Sequence, residues 1–172
     1  MSDIAEKTDD RRARAIAALA EKPEGMVEMV ATAADVTPVE ILEILPEGSV
    51  VFAGAEKFDE VWNELRTWGE VLIIVQTADI VLEVAGSLPE GTESHGWFNI
   101  HGDSPIGGHI KKDNCTSIAV VDRNTSRRVC SVWFNNADGK PMFKIFVRRD
   151  ENKQLKADQL AKFEALGKRL KG

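Results

Sequence analysis

The 172-residue sequence contains no tyrosine, only two cysteines and only three histidines. No stretch comes near the roughly 18 consecutive apolar residues that a membrane-spanning helix needs. The opening residues Met1-Ser2-Asp3-Ile4-Ala5-Glu6 also lack the basic start and apolar core of a secretory signal. These absences lead us to expect a cytoplasmic protein without membrane insertion. Cys115 and Cys130 sit in apolar, strand-like runs with no C-x-x-C spacing, so they read as small buried side chains and not as a redox pair. There is no phosphate-binding loop, dinucleotide fingerprint or G-x-S-x-G elbow. On these grounds the chain reads as a non-enzyme.

Positive charge is also in short supply. Lys and Arg number 22 against 28 Asp and Glu, a net charge of −6, which works against attraction to nucleic acid or anionic membrane. A helix-turn-helix pattern near the N-terminus does not change this. Its would-be recognition helix, Thr37 to Leu45, carries Glu40 and Glu43 and no lysine or arginine, so the phosphate contacts that dominate DNA affinity are missing.

What is present is a chain apolar enough to fold, with 43% hydrophobic and 29% charged residues. Residues 1–10 are polar and expected to fray. Helices are predicted over Arg11–Leu19, stopped by Pro23 and Gly25, and over Gly25–Ala34. A third starts at Thr37, where Pro38 at the first helical position and Glu40 three residues on make a capping box. Phe58, Val61, Trp62, Leu65 and Trp68 recur at helical spacing before Gly69, and such an aromatic stripe reads as core. The period then shortens to that of strands, predicted at 71–75, 80–85, 94–101, 107–111, 115–122, 127–134 and 141–148, before a final helix over 154–170. Strands that follow one another without helices between them imply an antiparallel, meander-like sheet. The fold class is α+β, with a helical appendage over 1–48 and the main unit over 49–172.

All three histidines fall between His95 and His109. In an unbroken strand over 94–101, His95, Trp97, Asn99 and His101 share one face, while Phe98 and Ile100 point to the core. Six residues of strand would separate His95 from His101 by roughly 20 Å, too far for one ion bound at about 2 Å. His109 follows Gly107-Gly108 and precedes Ile110-Lys111-Lys112. A nitrogen donor, apolar neighbours and nearby ammonium groups suit an anionic iron porphyrin. Equally, this is the composition of a loop histidine beside solvated lysines.

From about Gly25 onward the chain resembles the ChuX/HutX family of cytosolic haem-utilisation carriers, which are related to single halves of larger, duplicated haem-trafficking and haem-degrading proteins. The resemblance rests on Phe58-Asp59-Glu60-Val61-Trp62, Trp68-Gly69, Thr77-Ala78-Asp79, His95-Gly96-Trp97-Phe98-Asn99, Gly108-His109-Ile110-Lys111, Asn114-Cys115-Thr116, Phe134-Asn135 and Lys144-Ile145-Phe146, in this order and spacing. It implies a dimeric protein that binds haem as cargo, receives it after import and passes it to acceptor proteins. It further implies that His109 is the axial iron ligand, that Lys111 meets a propionate, and that Gln76 and Trp97 line the site. Some relatives have histidine where Gln76 stands and tyrosine where Trp97 stands. Haem breakdown, or an interaction role with a vestigial haem site, are the alternatives the resemblance leaves open.

Overall fold

The computed structural model describes residues 2–172, with side chains from Lys7 onward. The first helix, α1 (Ser2–Glu21), begins well before the alanine-rich stretch that predicts it. The polar residues expected to fray are therefore helical, except Met1, which lies outside the described residues. Arg14 pairs with Asp10 one turn earlier, and Arg11, directly after these residues, donates two 2.7 Å hydrogen bonds to Glu40. Helices α2 (Val27–Ala34) and α3 (Pro38–Leu42) follow. The capping box of α3 is formed, with Glu40 N donating to Thr37 Oγ1 at 3.2 Å and Thr37 N donating to Glu40 Oε2 at 2.6 Å.

Next come β1 (Val50–Gly54), α4 (Phe58–Arg66), β2 (Glu70–Gln76) and β3 (Val81–Ser87). The short strands β4 (Gly91–Ser94), β5 (Trp97–Ile100) and β6 (Gly108–Ile110) precede β7 (Cys115–Asn124), β8 (Arg128–Asn136), β9 (Pro141–Phe146) and the last helix, α5 (Ala157–Lys171). All strand pairings are antiparallel, as expected. The single meander is not what forms, however. Six strands build one sheet in the order β1-β7-β8-β9-β2-β3, and β4-β5-β6 build a separate small sheet.

Alternation along the strands gives the large sheet two apolar faces. On one, α1–α3 pack Ala15, Val27, Val30 and Ile41 against Val50, Ala119, Val121 and Trp133. On the other, α4, α5 and the small sheet cover Ile118, Val132, Phe134 and Ile145. The aromatic stripe of α4 is core, as its spacing predicts, and it carries the small sheet. Phe98 of β5 stands edge-on to Phe58 at 5.2 Å and to Trp62 at 5.4 Å, while Trp62 Nε1 donates to Pro89 O at 3.0 Å. Gly91 is obligatory beneath this ring, because a Cβ there would lie 1.7 Å from Phe98 Cζ.

Candidate functional site

The stretch read as one strand over 94–101 is a hairpin. His95 and Gly96 have φ of 54° and 74°, and two successive positive values make the tight turn whose twist suits an antiparallel pair. The chain therefore reverses between β4 and β5. Because the turn uses two residues, the alternation expected for the strand survives it: Phe98 and Ile100 are buried, while Trp97 and His101 are exposed. Pairing of β4 with β5 and β5 with β6 sets Thr92 opposite Asn99, Ser94 opposite Trp97 and Asn99 opposite His109.

The outward face of the small sheet is consequently an open groove of about 800 Å³, lined by all three histidines together with Trp97 and Asn99. The His109 ring is 5.3 Å from that of His101 and 6.2 Å from that of Trp97, edge to face in both cases. His109 Nδ1 is 2.6 Å from Asn99 Oδ1. His95 Nδ1 is 2.7 Å from the hydroxyl of its neighbour Ser94.

His109 also borders a second space. Between β2, β3 and the loop leading into β6 lies a hollow of about 340 Å³, lined chiefly by Ile73, Val75, Leu82, Val84, Ile106 and Met142. An exposed imidazole thus stands on a rim, with a polar and aromatic groove on one side and an apolar hollow on the other. Glycines 107 and 108 line this hollow too, without side chains to fill it.

The two lysines after His109 differ sharply. Lys112 Nζ is held by Asp59 at 2.6 Å and by Glu93, with its side chain 22% exposed. Lys111 Nζ lies 4.3 Å from the centre of the Trp97 ring and donates to Gly96 O at 3.1 Å.

Within the chain Gln76 is not brought to His109. Along β2 the side chains of Ile73 and Val75 face the hollow, and those between and after them face the other side of the sheet. There Gln76 Oε1 accepts from Lys144 Nζ at 3.3 Å. Both cysteines are buried, and burial pushes their thiols up, to about 11 for Cys115 and about 12 for Cys130; neither is a thiolate donor at neutral pH. Sequence reasoning passed over Asn99 and His101 as site residues. A signal for both was present, since they share the strand parity of Trp97.

A model of the haem-utilisation ChuX/HutX family matches residues 51–166. The intracellular haem transport protein HutX of Vibrio cholerae is 30% identical over 164 residues, spanning 94% of this chain and 85% of that one. A solved protein of Agrobacterium tumefaciens superposes with a TM-score of 0.89 at 67% identity, over 99% of this chain and 98% of that one. The haem-binding protein ChuX superposes with a TM-score of 0.82 at 38% identity, over 90% and 97%. A haem oxygenase of E. coli, ChuS, shares the fold alone, with a TM-score of 0.67 at 16% identity over 80% of this chain and 42% of that one. The family match over 51–166 and the close agreement with ChuX in fold and chain length place the chain in the ChuX/HutX haem-utilisation family.

Proposed function

We propose that this chain is an intracellular haem carrier that takes the iron porphyrin on His109 and hands it to an acceptor without altering it. The observation that carries the reading is the exposed imidazole of His109 on the rim between an aromatic groove and an apolar hollow. A groove of about 800 Å³ falls within the ~300–1,000 Å³ usual for small-molecule sites. Among the described residues no three His, Cys, Asp or Glu side chains converge on a bare ion. A porphyrin asks less of the protein, because the macrocycle supplies four of the iron's ligands and the chain adds an axial one. Trp97, 40% exposed, offers a flat apolar face, and Lys111 a cation for a propionate. The rings of His101 and His109 touch edge to face, leaving no slot for a macrocycle between them, so we assign His109 alone as the axial ligand from this chain.

Haemin titrated into the protein is expected to give a saturable Soret shift that His109→Ala weakens by at least about tenfold, since even the partners of a metal ligand are worth about 10–100-fold in affinity. An unchanged titration would remove His109 from the site. The fold shared with a haem oxygenase supplies the rival reading, haem breakdown. It predicts that reductant and oxygen bleach the Soret band of the complex without free hydrogen peroxide, as judged by insensitivity to catalase; carriage predicts a stable band.

We further propose a homodimer. Edge strand β3 and the residue before it expose Ile80, Val81 and Leu82 by more than half, an apolar edge of the kind that invites pairing. Light scattering at micromolar concentration should return twice the chain mass, and Val81→Lys should return one.

A further inference from the structure

The structure assigns to Asn99 the task of fixing both the rotation of the His109 ring and the nitrogen on which it carries its proton. This positioning role rests on the reading of His109 as the iron ligand, and it concerns which lone pair is offered to the metal.

The argument is one of donors and acceptors. The two hydrogens of Asn99 Nδ2 are directed at three backbone carbonyls, Thr92 O at 3.1 Å, Ser94 O at 3.3 Å and Trp97 O at 3.0 Å, one hydrogen being shared between two of them. Carbonyl oxygens only accept, so the amide cannot be turned over without setting its own oxygen against all three. Its Oδ1 is thereby committed to the other side, 2.6 Å from His109 Nδ1. An amide oxygen also only accepts. Nδ1 must therefore carry a hydrogen, and in the neutral ring the lone pair is left on Nε2. This is the reverse of the tautomer a free histidine side chain prefers in water.

Two consequences follow for the metal. A hydrogen bond given by the far ring nitrogen makes the near one a stronger donor and holds the ring in place. The edge-to-face contacts with Trp97 and His101 restrict the same rotation. The three carbonyls that orient the amide belong to the hairpin: Ser94 and Trp97 flank the His95-Gly96 turn, and Thr92 is the register partner of Asn99. The turn and the ligand are thus joined through one side chain.

The test begins with the unliganded wild type at alkaline pH. A long-range proton–nitrogen correlation spectrum, with His109 assigned by its loss in His109→Ala, should show a protonated Nδ1 and a bare Nε2. Finding Nε2–H as the main form overturns the inference whatever haem does. In Asn99→Leu, with the hairpin amide shifts checked for folding, the tautomer should shift towards Nε2–H. Haemin affinity should fall about 10–100-fold, and the midpoint potential of bound haem should rise because the imidazole is a weaker donor. A fall in affinity with tautomer and potential unchanged reduces Asn99 to a purely structural role and overturns the assignment. A wild type that shows the Nδ1–H form yet binds no haemin would support the tautomer assignment and overturn the carrier reading instead.

Discussion

The ammonium of Lys112 is neutralised between Asp59 and Glu93, so its charge is spent within the protein. Lys111 rests on the Trp97 ring and a backbone carbonyl, neither of which cancels a full charge, and the cation remains available to an anionic ligand. Exposed ion pairs are weak, and a single propionate contact is worth about two- to fivefold in affinity. Lys111→Glu replaces attraction by repulsion, and haemin should bind roughly tenfold more weakly at low salt. The deficit should shrink as ionic strength rises and the Debye length falls below about 8 Å. Lys112→Gln, measured in the same titrations, should leave affinity unaltered. A salt-independent loss in Lys111→Glu would mean that the substitution disturbs Trp97 and that no propionate is involved.

At the scale of elements, α1 and α3 are joined by Arg11 and Glu40. Hydrogen bonds from Arg11 are the main reason the Glu40 carboxyl is held down to about 2 from 4.5; burial opposes this, and Thr37 N–H assists it. The folded carboxylate takes up a proton less readily than the unfolded one, so its contribution is complete above pH 4.5 and is lost as pH falls towards 2. With Arg11 and Glu40 side chains 38% and 31% exposed, solvent screening reduces the pair to about 1 kcal/mol. Arg11→Gln should lower Tm by about 2–4 °C at pH 7, and thermal melts should show the difference closing between pH 5 and pH 2. This pair also helps α1 reach back through residues whose polarity suggests fraying: Arg11 directly follows them, and its partner is on another helix. Contacts of that kind are invisible to a periodicity argument, whereas the capping box at Thr37, the aromatic stripe of α4 and the apolar run of β2 were all readable. The His95-Gly96 turn leaves no mark on the pattern, because the alternation of Trp97, Phe98, Asn99 and Ile100 continues in phase on its far side. The pairing of Asn99 with His109 depends on register across the intervening loop, which no local pattern specifies.

Across the whole molecule, the large sheet separates two regions that should respond independently. On the face away from the groove, Lys144 is 4% exposed, 4.7 Å from the Trp133 ring centre, hydrogen bonded to Gln76 and paired with Glu28 of α2. A buried ammonium that loses its carboxylate keeps the cost of leaving water and forfeits the attraction that offset it. Glu28→Leu alone should therefore cost about 3–5 kcal/mol, seen as a lower urea midpoint. Glu28→Leu combined with Lys144→Met removes both charges and should recover most of that loss, giving a large coupling energy in a double-mutant cycle. His109 stands on the opposite side of the sheet, beyond Ile73 and Val75. Haemin affinity measured on the folded double variant should accordingly match the wild type. If it falls, the sheet transmits a change from one face to the other, and the helical layer over α1–α3 acts on the groove instead of only covering the core.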